Sequence, residues 1–375
     1  MKASVVTAFL LALHQVSLPS EEASRPSDPA IRVQGKWVLD ADGKPVPPGS
    51  FTRGLQPSGL LFRKGELWSI GDQRSEYPGH LLRIDPATAR LIGKPIRLAL
   101  PEPPAGDREF EAYRDIPNPD FEAICADPKN PDAFLAVTED KIPWIVEIHL
   151  EAGTGSGEPR ARITRLARIR IPDTFSSWRD DPNYRFEGIA VPDDRSTVWL
   201  AFERSRDDLP RVCRVSLDFT KMPLTPEEVP FPFASIPRRA DKPRALLNIN
   251  DILFLRRNAS PCLLAVLRDQ ERLLLLDLER RDFGPRVDLD LLDPTGAPIQ
   301  WVSPEGLAVD EATDRLWIIN DPDSVGPNYR ARAASDPTGK FASYTPLLFE
   351  LKLSAVLGPD RSPADRPGGG GKAGQ

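Results

Sequence analysis

The apolar residues of this chain come in short unbroken runs. "VWLAF", "LWII" and "LLAVL" are apolar throughout, each about as long as one strand, and none alternates with polar positions. A strand reads this way when both faces of its sheet are covered. Gly, Pro, Asn and Asp bound the runs and mark turns. The 41 prolines argue against long helices.

The runs recur in a fixed order. Residues 57–84 read "PSGLLFRKGELWSIGDQRSEYPGHLLRI", and residues 121–150 read "FEAICADPKNPDAFLAVTEDKIPWIVEIHL". Residues 186–217 and 248–278 repeat the order, as does "PEGLAVDEATDRLWIINDPD" at 304–323 with "LLFELKL" behind it. Each copy has a small or polar residue, a short strand, a turn, a longer strand, a polar cluster and a third strand. Self-similarity at a period of roughly 60 residues points to a repeat fold. "IGKPIRLAL", "ITRLARIRI", "EEVPFPFASI" and "RVDLDLL" supply fourth strands for the first four copies. The fifth copy finds its fourth strand at the other end of the chain, in "IRVQGKWVLDADGKPV" (31–46). The pattern predicts an all-β fold, a β-propeller of four-stranded antiparallel blades with the N-terminal strand closing the last blade. Five blades are favoured. Six stay open, because 218–247 and 324–346 are long enough to hold further strands. A pair of β-sandwiches is the competing architecture, but it does not predict one hairpin five times over.

Residues 31–357 read as a single propeller domain. Residues 1–30 read as a signal peptide and linker, with Lys2 ahead of the apolar stretch Ala3 to Leu13. A periplasmic or secreted protein is expected. The Gly/Pro-rich tail 358–375 reads as disordered. No stretch is apolar for long enough to span a bilayer. A net charge of −6 and a pI near 5.4 give no basic surface for nucleic acid. Cys125, Cys213 and Cys262 lie far apart in apolar runs, so buried free thiols are expected rather than disulfides or a zinc site. With only His14, His80 and His149 in the chain, neither a Ser-His-Asp triad nor a histidine metal site is expected.

Acids bracket the hairpins. In an antiparallel pair the start of one strand lies beside the end of the next. Glu122 therefore shares a hairpin end with Glu139, Glu187 with Glu203, and Glu305 with Asp321. Asp251 and Asp269 bracket the fourth copy. Asp72 ends the second strand of the first copy, where Ser58 replaces the leading acid. In a propeller these ends converge on one rim of the central channel. Carboxylates crowded there raise one another's pKa unless a cation intervenes. The nearby Arg74, Lys141, Arg204 and Arg268 offer one neutraliser, and a hard divalent ion such as Ca²⁺ another. The candidate metal ligands are Glu122, Glu187, Glu305, Asp321 and Asp251. The candidate substrate contacts are Asp72, Arg74, Glu139, Lys141, Glu203, Arg204, Arg268 and Asp269. Ion pairs that tie blades together would use the same residues. Trp68, Trp199 and Trp317 fall at equivalent second-strand positions and read as packing between blades. Trp144 and Trp178 are candidates for stacking on a ligand.

At "FEGIAVPDDRSTVWLAFER" and "SPEGLAVDEATDRLWIINDPDS" the chain resembles the phytase-like domain family, also called esterase-like activity of phytase. "PSGLLFRKGELWSIGDQ" is similar to propellers of the SdiA-regulated type. The likeness covers most of residues 50–353. It implies a propeller and hydrolysis of phosphate or carboxylic esters, and it carries over no catalytic set. The expected protein is a monomeric hydrolase of a small anionic ester using Ca²⁺ or another divalent metal. The alternatives are a metal-dependent lactonase, for which "NIND" (248–251) offers asparagines, and a non-enzymatic binding propeller with structural Ca²⁺.

Overall fold

The structure is a computed structural model that describes residues 30–100, 108–116, 118–151, 159–172, 175, 186–205, 207–300, 302–322, 332–333 and 344–358. It is all-β in its framework. Apart from the short strands Arg90–Leu91, Ile299–Gln300 and Arg332–Ala333, the described strands fall into antiparallel units of four, and the repeats read from the sequence each form one. Unit one is Pro57–Arg63, Glu66–Gly71, His80–Asp85 and Ile96–Ala99. Unit two is Phe121–Ala126, Ala133–Thr138, Trp144–Glu151 and Arg160–Arg168. Unit three is Phe186–Ala190, Thr197–Phe202, Arg211–Ser216 and Glu227–Val229. Unit four is Ile249–Arg257, Ser260–Leu267, Arg272–Asp277 and Asp282–Leu292. Unit five is Pro304–Asp310, Arg315–Asn320 and Leu347–Lys352, completed by the N-terminal strand Ile31–Trp37. That last strand pairs antiparallel with Leu347–Lys352 through Gly35↔Phe349 and Trp37↔Leu347, as the sequence predicts.

The units are arranged as in a propeller. The first strands of units one, two, three, four and five touch in that order, and the fifth touches the first again. Two joints are sealed at the outside as well. Ile31–Trp37 runs parallel to Asp282–Leu292, and Ile96–Ala99 runs parallel to Arg160–Arg168. The apolar runs are buried on both faces, which explains their lack of alternation: Leu263, Leu264, Ala265, Val266 and Leu267 are all inaccessible. Separate apolar clusters fill the spaces between neighbouring units. The second-strand tryptophans lie in them. Trp317 stacks on Phe62 of the next unit at 4.9 Å, and Trp68 packs against Phe134 at 5.2 Å.

Close approach of the first strands restricts what can stand there. A Cβ on Gly59 would lie 2.8 Å from Ala123 Cα, and one on Gly306 would lie 2.6 Å from the Gly59 carbonyl carbon. This is why Gly59, Ala123, Gly188 and Gly306 stand at this position in units one, two, three and five.

The helix Arg108–Arg114 was not legible in the sequence. Its Tyr113 meets Trp144 edge-on at 5.6 Å, and Trp144 is wholly buried. Trp144 is therefore a core residue and not a stacking platform. Trp178, the leader and most of the tail lie outside the described residues. All three cysteines are free and buried, as expected. No helix among the described residues is long and apolar enough to cross a membrane.

Candidate functional site

One end of every unit opens into a single cavity of about 1490 Å³. Three positions per unit build its floor. The first comes just before the opening strand: Gln56, Asp120, Asn248 and Ser303. The second is Ser58, Glu122, Glu187 or Glu305, with Asn250 of unit four buried behind the lining at the same position. The third follows the second strand: Asp72, Glu139, Glu203, Arg268 or Asp321. Backbone bonds fix the first to the third. The N–H of Asp72 donates to the Gln56 carbonyl at 3.1 Å, Glu139 to Asp120 at 2.8 Å, Arg268 to Asn248 at 3.1 Å, and Asp321 to Ser303 at 3.0 Å.

A β-bulge places the second position. Pairing slips between Phe121 and Ala123, between Phe186 and Gly188, between Ile249 and Asp251, and between Pro304 and Gly306. The skipped residues are Glu122, Glu187, Asn250 and Glu305. A bulge leaves one residue out of the ladder and re-aims its side chain. Here it turns an acid or amide away from the apolar inter-unit space. Unit one slips between Ser58 and Leu61.

The bulge corrects one candidate. Asp251 stands where the other units have Gly59, Ala123, Gly188 and Gly306. It is 1 % exposed, and its carboxylate accepts from the backbone N–H of Ile252 at 2.8 Å and of Leu307 at 2.7 Å. It joins units four and five and does not line the cavity. Asn250 holds the position assigned to it. A one-residue shift also separates Asp269 from the equivalent Arg268, although both line the cavity. Lys141 is exposed in the turn after Glu139 and is not part of the lining. The remaining candidates are brought together: Glu122, Glu187, Glu305, Asp321, Asp72, Arg74, Glu139, Glu203 and Arg204.

The floor is crowded with carboxyls. Oxygens of Asp72, Asp120 and Glu122 lie within 4.8 Å of one another, as do those of Glu139, Glu187 and Glu203. Burial, then the neighbouring Asp120, pushes Asp72 well above the usual carboxylate range. Burial followed by repulsion from Glu187, Asp120, Glu139 and Asp72 does the same to Glu122. Glu187 is raised by burial and by Glu139, Glu203 and Glu305, against the pull of Arg268. Glu305 is raised to about 8 by burial, which outweighs Arg268. Amides knit the other side. Asn250 Nδ2 donates to Glu305 Oε2 at 2.9 Å and to Glu187 Oε2 at 3.3 Å. Asn248 Nδ2 donates to Glu203 Oε1 at 3.0 Å and Gln56 Nε2 to Asp321 Oδ1 at 3.3 Å.

The lining also carries cations. Arg32, Arg53, Arg74, Arg204, Lys242 and Arg244 belong to it, together with the acids Asp241, Glu271 and Asp290, and Lys242 Nζ pairs with Glu271 Oε1 at 2.6 Å. Lys242 and Arg244 come from the segment after Ile236, which is held by Arg239: its Nη1 donates to the Leu289 carbonyl at 2.6 Å and its Nη2 to Asp241 at 2.9 Å. Sequence reasoning missed this segment because it carries no periodic pattern. It also missed Gln56, Asp120 and Ser303, and it offered Asn248 only through "NIND" for the lactonase reading. Their signal was a polar residue two places before each bulge, as in Asp120-Phe121-Glu122 and Asn248-Ile249-Asn250.

No protein-family model matches the chain, and no curated protein matches it. Among solved structures it is similar to the PQQ-bound aldose sugar dehydrogenase of Streptomyces coelicolor, at 12% identity over 82% of this chain and 96% of that one, with a TM-score of 0.38. It is also similar to the calcium-binding protein regucalcin of Agrobacterium tumefaciens, at 12% identity over 86% of this chain and 94% of that one, with a TM-score of 0.40.

Proposed function

We propose that the units are blades of a five-bladed propeller whose acidic floor binds a divalent cation, Ca²⁺ foremost, and that the site hydrolyses a small anionic phosphate or carboxylic ester. The crowded buried carboxyls and the partnerless Glu203 Oε2 carry this reading. Such a cluster suits a cation, and arginines in the same lining suit an anionic substrate beside it.

The donor set fits a hard ion. Among the described residues the cavity lining offers carboxylate, amide and hydroxyl oxygens but no sulfur or imidazole. Glu203 is 1 % exposed, and its Oε2 is buried with no hydrogen-bond partner. A buried carboxylate oxygen left in that state is costly, and a cation would satisfy it. The residues that would hold the ion are Glu139, Glu187 and Glu203, with Asp72, Asp120 and Glu122 beside them. When bound, such an ion polarises an ester and lowers the pKa of water. The chain's own groups would orient the substrate: Arg74 and Arg204, both in the cavity lining, would take its anionic oxygens. The resemblance of the strand-start motifs to those of the phytase-like family supports the same class of reaction. Asn248 and Asn250, both tied to floor glutamates, support the lactonase variant of it.

Metal analysis of the purified protein, followed by thermal unfolding with chelator and with Ca²⁺, Mg²⁺, Mn²⁺ or Zn²⁺, tests the reading. Bound divalent ion and a raised Tm are expected. No bound metal and no shift with any of the ions would leave the floor as a set of inter-blade ion pairs and the protein as a binding propeller.

A further inference from the structure

The residue after the second strand is an acid in four units: Asp72, Glu139, Glu203 and Asp321. In unit four it is Arg268. Its backbone bond to Asn248 matches those of its counterparts, so the charge reversal happens at one structural position and not through a shift of the chain. The guanidinium is enclosed, with 16 % of the side chain exposed. Its Nη1 donates to Glu305 Oε1 at 3.0 Å and its Nη2 to Glu203 Oε1. Its Nε lies 3.5 Å from Asp269 Oδ1. One fixed fork thus serves acids of units three, four and five.

Glu203 stands at a boundary. Its Oε1 accepts from Arg268 and from Asn248, while its Oε2 is left without a partner and the residue belongs to the carboxyl cluster with Glu139 and Glu187. One oxygen faces an internal cation, and the other has none.

We infer that Arg268 is a built-in cation, a positioning residue that holds the place a second divalent ion would take between Glu203 and Glu305. It confines the bound ion to the side of the floor built by units one to three. The inference rests on the cation-site reading of the floor. A planar guanidinium suits the role because it stays charged and reaches several carboxylates in fixed directions. It also repels a divalent ion nearby, which keeps the ion against Glu139, Glu187 and the free oxygen of Glu203.

The test is the number of Ca²⁺ ions bound per chain, measured by calorimetric titration of metal-stripped protein and by metal analysis after equilibrium dialysis. Wild type, Arg268→Gln and Arg268→Lys are compared. Arg268→Gln is expected to bind one more Ca²⁺ than wild type, whereas Arg268→Lys, which keeps the charge, is expected to bind the same number. Arg268→Gln is also expected to show the larger rise in Tm on adding Ca²⁺. A folded Arg268→Gln with the wild-type number of ions would overturn the inference while leaving the cation site intact. An Arg268→Gln that stays unfolded at saturating Ca²⁺ would overturn it too, since the second ion is expected to replace the lost charge. A wild-type protein that binds no divalent ion would overturn the cation reading itself.

Discussion

Glu187→Gln should change the sign of its effect on stability when Ca²⁺ is added. The carboxyl is 5 % exposed and is crowded by Glu139, Glu203 and Glu305. Burial and these like charges raise the carboxyl well above its ordinary range, so ionising it opposes folding at neutral pH. Glutamine keeps an oxygen to accept from Asn250 Nδ2 and removes the charge. In chelator at pH 7.5 the variant should therefore be more stable than wild type. With the ion bound the order reverses. Free Ca²⁺ at 100 times its Kd stabilises wild type by about 2.7 kcal/mol. For a chain of 375 residues, with an unfolding entropy of roughly 2.1 cal/mol/K per residue, that is a rise of about 3 to 4 °C in Tm. The variant should show less than half of it. Circular dichroism melts of both proteins, in chelator and in a Ca²⁺ series, read out all four values. A variant that melts below wild type in chelator, or gains as much from Ca²⁺, would refute the reasoning.

Without metal, the raised carboxyls make the folded protein bind more protons than the unfolded chain between about pH 4.5 and their raised folded values. Stability must then fall as pH rises, through the Glu305 value of about 8, so the metal-free Tm should drop between pH 5 and pH 8.5. Saturating Ca²⁺ should flatten that profile, and a metal-free Tm that rises over the same range would contradict the floor's electrostatics. Asp251→Ala should cost about 2 to 4 kcal/mol, because two buried backbone N–H groups lose their acceptor. Its Ca²⁺ affinity, measured by titration, should stay within about threefold of wild type, or roughly 0.7 kcal/mol; a tenfold loss would return Asp251 to the metal site.

The framework was legible because its cause is local. Strands covered on both faces must be apolar throughout, so "VWLAF" and "LLAVL" announce burial without any long-range information. The bracketing acids were legible for a related reason: Glu187 and Glu203 have no place in an inter-unit core and must emerge where the hairpin ends. What the residues could not display is a bulge. A one-residue slip in an otherwise regular strand sends Asn250 against Glu187 and Glu305 and Asp251 into the joint between units, yet "NIND" looks the same either way. The acid was the natural choice and the wrong one. Lys141 failed for want of turn geometry. Lys242 and Arg244 were invisible because their segment is held by Arg239 contacts far along the chain, to Leu289 and Asp290, and not by any pattern of its own. The charge reversal at Arg268 was plain in the sequence, but its meaning needed Glu203 and Glu305 on either side of it.

The central claim, a cation-dependent hydrolytic site on the propeller axis, is tested most directly by turnover. Metal-stripped protein is assayed against a chromogenic phosphomonoester and a small lactone, before and after Ca²⁺ is restored, alongside Glu122→Gln and Glu187→Gln checked for intact fold. The account predicts turnover of at least one substrate only with the ion present, and its loss by a factor of at least about 100 in Glu187→Gln, the scale of a removed electrostatic contribution. Turnover that survives both chelation and Glu187→Gln, or none by an ion-loaded wild type, would contradict it.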